Sequence, residues 1–181
     1  MEENTRVYWL GGAAFLICSH GTNILIDPQM SFCQKNGNLF APNGLRLFCK
    51  PPLSAEEAVS ADIVLYTHAD DDHFEAATAQ KLGTANILIV GPAPVFEKAV
   101  HLGIPADHPW QLLNTAKFGR PYGKEDCVGF IVETQDVRMF ISGDTRLLPE
   151  HTTLENIDIL AMDASSCSFH LSVQGSAALC R

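Results

Sequence analysis

"THADDDHF", residues 67–74, sets His68, Asp70, Asp71, Asp72 and His73 within six positions, directly after the apolar run "IVLY" at 63–66. An apolar run of that kind reads as a buried strand, and the loop behind it is presented by a rigid element. Strand-end loops of layered sheets are where ligands usually sit. Irregular backbone lets side chains at 68, 70, 72 and 73 turn toward one point, which a regular strand or helix would not. Imidazole and carboxylate together suit zinc, manganese or iron better than calcium, which takes oxygen alone. The competing reading is an acidic turn in water that opens a helix, with Asp72 as its N-cap.

Upstream, "RVYWLG" (6–11) and "AAFLICS" (13–19) read as strands, "HGTN" (20–23) as a turn and "ILIDP" (24–28) as a returning strand. Pro28 stops that strand, because proline has no N–H for a ladder. Asp27 closes the segment in a structural role or one that supports the ligands. Residues 29–53 carry scattered Gly, Pro and Asn and read as a long ordered loop that shapes a site. "SAEEAVSA" (54–61) starts with a Ser N-cap and has Glu57 at the capping-box position, so a short helix is expected.

Downstream, "FEAATAQKLG" (74–83) and "APVFEKAVHLG" (93–103) read as helices closed by Gly83 and Gly103, with the strand "NILIVG" (86–91) between them. Beyond "PADHPWQ" (105–111), a loop rich in Gly and Pro leads to "CVGFIVET" (127–134), "VRMFISGDT" (137–145) and "IDILAMDAS" (157–165). Strands in a hairpin series, then strands alternating with helices, predict an α/β or mixed α+β layered fold. Neither a repeat nor a break in composition marks a second domain, so residues 1–181 are expected to form one.

The chain has 181 residues, 46% hydrophobic and 18% charged, which suits a globular domain with a real core. Its net charge of −9, with no basic stretch, argues against a nucleic-acid partner. No run approaches the roughly 20 apolar residues of a membrane span, and the start "MEENTRVYWL" lacks the apolar core of a signal peptide. The six cysteines form no CxxC pair and read as reduced, small buried hydrophobes of a cytoplasmic protein. Nothing in the composition sets the oligomeric state, and a homo-oligomer stays open.

"SGDTR" (142–146) follows another apolar strand and delivers Asp144 into a Gly-flanked turn. Alone it is an ordinary turn. Downstream of an HxDxDH stretch it becomes a candidate bridging carboxylate.

Together these features resemble the metallo-β-lactamase superfamily, most closely its lactonase-like branch, typified by the L-ascorbate-6-phosphate lactonases. The resemblance runs through "WLGGAAFLICSHGTNILIDP" (9–28), "PPLSAEEAVSADIVLYTHADDDHF" (51–74) and "CVGFIVETQDVRMFISGDT" (127–145), and covers roughly residues 7–165. It implies an αββα sandwich, incomplete at the C-terminus if the chain is shortened. It also implies one or two divalent ions: His68 and the residue at 70 in one site, Asp72 and His73 in the other, and Asp144 between them.

Three departures follow. The family has His where this chain has Asp70, a harder donor that shifts preference from zinc toward manganese or iron. The family's third histidine has two counterparts: His108 in "PADHPWQ", favoured because it can ligate, or Phe118 in "TAKFGRP" (115–121), which leaves the site deficient. The chain stops at Arg181, where family members usually continue to a late histidine; His170 lies in the right region to substitute, the other reading being a loop histidine near the pocket mouth. His20, His101 and His151 are weak candidates. Lys117, Arg120 and Arg146 are candidate anchors for a substrate anion.

The expected function is a hydrolase that uses a metal-activated water on a small cyclic ester, lactone or related substrate, with Asp72 and Asp144 as catalytic carboxylates. Phosphodiester cleavage is the alternative within that class. A non-catalytic metal- or ligand-binding domain of the same fold is the alternative from another class.

Overall fold

Ile63–Leu65 (β7) lies inside a six-stranded sheet, where its apolar composition belongs. The computed structural model describes residues 4–113, 127–162 and 172–180. The chain divides into two compact units, residues 1–114 and 115–181.

The first unit opens with an antiparallel series, β1 (Arg6–Gly11), β2 (Ala14–Ser19) and β3 (Thr22–Ile26). Between β2 and β3 only His20 and Gly21 intervene, both at positive φ (50° and 81°), as a type I′ hairpin turn requires. Residues 29–53 depart from the expected loop. They contain a small antiparallel sheet, β4 (Cys33–Lys35), β5 (Asn38–Phe40) and β6 (Arg46–Leu47). Asn36-Gly37 turns β4 into β5, again with both residues at positive φ. Asn-Gly between short strands is a strong hairpin signal, masked here by the Gly, Pro and Asn residues around it. Cys33 and Cys49 in this region are exposed, as is Cys180, against the expectation of buried cysteines. The described cysteines are free thiols.

The rest of the unit alternates as expected: α1 (Ala55–Ala58), β7, α2 (Ala76–Leu82), β8 (Leu88–Gly91), α3 (Ala93–His101) and β9 (Trp110–Leu112). Strands β3, β7, β8 and β9 run parallel, giving the order β1-β2-β3-β7-β8-β9. The capping box forms: Ser54 Oγ accepts the Glu57 N–H at 3.2 Å, and Glu57 Oε2 accepts the Ser54 N–H at 2.8 Å. The Ser54 N–H and hydroxyl, both donating to Oε2, hold the Glu57 carboxyl below its ordinary pKa. Gly103 closes α3 in the left-handed region (φ 88°). Gly83 serves otherwise, because a Cβ there would stand 2.7 Å from Ile104 Cγ1.

Leu16, Leu25, Val64, Ile89 and Trp110 pair in register across five strands. Leu25, Val64 and Ile89 join Phe74, Leu82, Val95 and Ile104 in one buried cluster, with Leu16 and Trp110 packed on it. Each fully buried aliphatic side chain contributes roughly 1.5–3 kcal/mol. Packing of this row therefore holds the unit, since helices this short are not stable alone.

In the second unit β10 (Phe130–Glu133) and β11 (Arg138–Ile141) form a hairpin, and β12 (Ile159–Ala161) joins β11 in parallel. Gly129 has to be small here, because a Cβ would lie 2.9 Å from the Ile141 carbonyl oxygen. A 3₁₀ turn spans Pro149–Thr153, and its His151 ring packs against Phe140 at 5.3 Å. A helix absent from the sequence reading, α4 (Val173–Leu179), starts at Ser172, whose Oγ accepts the Gly175 N–H at 3.0 Å. The chain is thus mixed α/β, as expected. Among the described residues no helix is long and apolar enough to cross a membrane.

Candidate metal centre

Because β3 and β7 are parallel neighbours, the residues after them emerge side by side at one edge of the sheet. Asp27, directly after β3, donates its N–H to the Leu65 carbonyl at 2.9 Å. It is buried and sits at φ 42°, a region that costs a non-glycine residue about 1–2 kcal/mol. Its carboxylate offsets that strain with three contacts. Oδ1 accepts the Thr67 N–H at 2.8 Å; Oδ2 accepts the Thr67 hydroxyl at 2.6 Å and His73 Nδ1 at 2.8 Å.

Thr67 Oγ1 also lies 3.0 Å from His68 Nδ1 and 3.2 Å from His73 Nδ1. Both imidazoles are 95% buried, and their ring centroids are 3.9 Å apart. The loop between them closes as a turn, with the Asp70 carbonyl accepting the N–H of His73 (2.9 Å) and of Phe74 (2.7 Å). Phe74 is fully buried against Tyr66, and so pins the far end of the loop in the core. Burial, with Asp27 and Glu75 adding to it, raises the Tyr66 phenol above its ordinary pKa and keeps it neutral.

The three aspartates separate. Lys98 of α3 reaches the loop, donating to the Ala69 carbonyl at 2.5 Å and to Asp71 Oδ1 at 2.7 Å. Asp71 is thereby turned to a structural ion pair. Asp70 and Asp72 stay with His68, one ligand atom from each of the three lying within 4.8 Å of the others. Asp72 is not the N-cap of α2. Glu75 takes that position and accepts from the N–H groups of Ala77 (2.8 Å) and Thr78 (3.1 Å) and from the Thr78 hydroxyl.

This donor set fits a divalent transition metal. It offers imidazole nitrogen and carboxylate oxygen, and the Nδ1 of each imidazole is engaged by a protein oxygen, which leaves Nε2 as the ligating nitrogen. Asp70 is largely exposed and Asp72 partly so, hence water can reach the site.

His108 falls elsewhere, against the preference for it as the third histidine. Strand register places Ile89 opposite both Val64 and Trp110, so His108 is level with Asp62, before β7 begins. His68 lies after β7 ends, six residues further along, about 20 Å at strand rise. A histidine preceding a parallel strand cannot reach a site built beyond its neighbour's far end. His108 instead packs edge-on to Trp110 at 5.8 Å, and it is not part of the His68, Asp70 and Asp72 cluster. Lys117, Phe118, Arg120 and also His170 lie outside the described residues.

Asp144 occupies the turn after β11 in the second unit, partly buried, next to Gly143 at φ 57°. Its carbonyl accepts the Cys127 thiol at 3.0 Å. Arg146 is exposed. Among the weak candidates, His20 bonds Ser19 Oγ through Nδ1 at 2.9 Å within its turn, and His101 is exposed at the end of α3. His151 Nδ1 accepts the Leu148 N–H at 3.3 Å, and burial lowers its pKa. Thr67 was not singled out from sequence. Its signal was its place between a buried strand and the first histidine, 40 residues along the chain from Asp27.

A mixed sheet whose parallel strands end in buried imidazoles and carboxylates defines an α/β protein with a donor set for a divalent metal. More narrowly, the chain belongs to the β-lactamase superfamily, since the model of the "Beta-lactamase superfamily domain" matches residues 6–174. It is 28% identical over 159 residues to a UPF0173 metal-dependent hydrolase of Caldivirga maquilingensis, covering 78% of this chain and 60% of that one. A UPF0173 metal-dependent hydrolase of Methanopyrus kandleri is 28% identical over 166 residues, covering 78% and 63%. The chain thus spans somewhat over half the length of these relatives. Among solved structures, the isothiocyanate hydrolase from Delia radicum gut bacteria superposes with a TM-score of 0.68 at 17% identity, covering 96% of this chain and 78% of that one.

Proposed function

We propose that this chain is the metal-binding part of a hydrolase acting on a small molecule, with a cyclic ester or lactone as the substrate class. The observation that carries the reading is the buried His68–His73 pair, each imidazole oriented through Nδ1, with Asp70 and Asp72 beside it. When bound, a divalent cation lowers the pKa of water and polarises a carbonyl or phosphoryl oxygen.

As the family resemblance assigns them, His68 and Asp70 would hold one ion, Asp72 and His73 would hold a second, and Asp144 would be the carboxylate common to both. Asp72 and Asp144 accept hydrogen bonds from the attacking water and orient it. Arg146, with Arg120, is the anchor for an anionic group on the substrate. Asp70 in place of histidine tilts the metal preference toward manganese or iron over zinc. The free thiols of the described cysteines accord with a reducing compartment, and we assign the protein to the cytoplasm.

Asp70 also favours a second reading, a metal- or ligand-binding domain without catalysis. Metal content of protein purified without added metal, followed by assays on lactones and phosphodiesters with manganese, zinc or iron, separates the readings. Bound metal with lactone turnover supports the hydrolase. Bound metal without turnover of any ester supports the binding domain. Less than one metal per chain, unrescued by added ions, sinks the hydrolase and leaves only a ligand-binding domain.

A further inference from the structure

We infer that one face of the β4–β5–β6 sheet, the face carrying Lys35, Phe40 and Arg46, is a binding site for a small organic anion with a carboxylate head and an apolar body. It uses none of the metal donors, so it stands or falls independently of the metal-dependent reading.

Strand register defines the face. Cys33 is opposite Phe40, Lys35 is opposite Asn38, and Phe40 is opposite Arg46. Side chains alternate along a strand, so these residues share one side of the sheet, while Gln34, Leu39 and Leu47 share the other. The first side is concave. Together with the Ala41–Gly44 turn, where the Gly44 N–H donates to the Ala41 carbonyl at 2.9 Å, it bounds a cavity of about 460 Å³. That volume suits a small molecule. Phe40 lies on the middle strand and is half-buried, with Lys35 on one flanking strand and Arg46 on the other. Strand spacing and rise put the backbones of those two cations about 12 Å apart, so their long side chains can close from both flanks on a ligand above the ring.

The charge pattern says what kind of ligand. The chain carries a net charge of −9, yet residues 28–55 hold Lys35, Arg46 and Lys50 and not one Asp or Glu. Lys81, Lys98 and Arg138 each face a carboxylate, at 3.6 Å from Glu56, 2.7 Å from Asp71 and 3.6 Å from Glu133. Lys35 and Arg46 have no ion-pair partner among the described residues. Lys50 lies over the Phe32 ring at 5.5 Å. A charged residue on an edge strand ordinarily guards that edge against pairing with another chain. A guard needs neither a cavity beside it nor an aromatic floor, and this face has both. Unpaired positive charge at a concavity concentrates anions there. An inorganic anion would leave the Phe40 ring unused, whereas an organic one packs its apolar body on it.

The test is an amide-resolved NMR titration of the full metal-free chain at neutral pH with benzoate, benzyl alcohol and inorganic phosphate. Benzoate should give saturable shifts confined to residues 33–46. Benzyl alcohol has the ring without the charge and phosphate the charge without the ring, so each should bind at least about tenfold more weakly than benzoate. Lys35→Glu and Arg46→Glu should each weaken benzoate about tenfold, through like-charge repulsion. Both side chains are exposed, so neither change should unfold the chain. Phe40→Leu should weaken benzoate and leave phosphate unchanged. The absence of saturable shifts at 33–46 overturns the inference. So does benzyl alcohol or phosphate binding as tightly as benzoate, or benzoate affinity unchanged in both glutamate variants. Repeating the titration with zinc present should leave the benzoate affinity as it was; binding that appears only with zinc assigns the carboxylate to the metal and overturns this site.

Discussion

The two edges of the parallel sheet in the first unit both carry histidines, and they differ in what lies behind the ring. At the C-terminal edge His68 and His73 are 95% buried, and their Nδ1 atoms face Thr67 and Asp27. At the N-terminal edge His108 has a backbone turn to Pro105 and a ring contact with Trp110, with no hydrogen-bond partner for its Nε2 among the described residues. A ligating imidazole is marked by an oxygen holding its other nitrogen and by the strand end that presents it. A rigid, Pro-flanked loop supplies neither.

The largest effect that could break this contrast is loss of metal from the C-terminal edge. His68→Ala and His73→Ala should each weaken metal binding by more than about 100-fold, beyond what losing an outer partner costs. Equilibrium dialysis with elemental analysis reads this directly, and retention of stoichiometric metal by either variant would refute the ligand assignment. Asp144→Ala should lose metal similarly if its proposed bridging role is correct.

Asp27→Ala should come next, because it leaves the Thr67 N–H and hydroxyl without their acceptor in a buried site. A loss of about 1–3 kcal/mol for each donor left unsatisfied is expected in urea unfolding, together with weaker metal binding. Lys98→Met removes the cation that ties α3 to Ala69 and Asp71. Because Asp71 is mostly exposed, the cost should be only about 1–2 kcal/mol. Hydrogen exchange at His73 and Phe74 amides should rise with it; unchanged exchange would mean that Phe74 alone holds the loop.

In the second unit, burial lowers the pKa of His151, while the nearby Glu150 opposes that effect. The unfolded chain binds the proton more readily, so the neutral ring stabilises the fold above its ordinary pKa of about 6.5. That contribution is lost as pH falls through 6.5 toward the lower folded value. Thermal melts between pH 7.5 and 5 should therefore fall more steeply for wild type than for His151→Gln, and parallel curves would contradict it. The smallest effect belongs to His108→Ala, which should leave metal affinity within about twofold and stability within about 1 kcal/mol. A tenfold drop in metal affinity would erase the contrast between the edges.

Much of the fold was legible because local chemistry and tertiary role agree. The apolar runs of β2, β3, β7 and β8 became neighbouring strands, Ser54 with Glu57 became a capping box, and Gly103 became a left-handed helix end. Legibility failed where a local signal was diluted or ambiguous. Asn36-Gly37 was lost among other turn formers, and Asp72 competed with Glu75 for one cap. In the site, His68, Asp70, Asp72 and His73 could be named together because one short loop carries them all.

What the sequence determined alone was the class of chemistry: two imidazoles and several carboxylates after a buried strand, in a chain of the β-lactamase superfamily. What only the tertiary structure decided was which groups cooperate. Asp27 and Thr67 are 40 residues apart, and parallel pairing of β3 with β7 makes them partners. The same register removes His108 from the site, since it fixes that residue at the opposite strand end. Spacing in sequence encodes contacts within an element. Contacts between elements depend on strand order and register, which are set by the packing of the core.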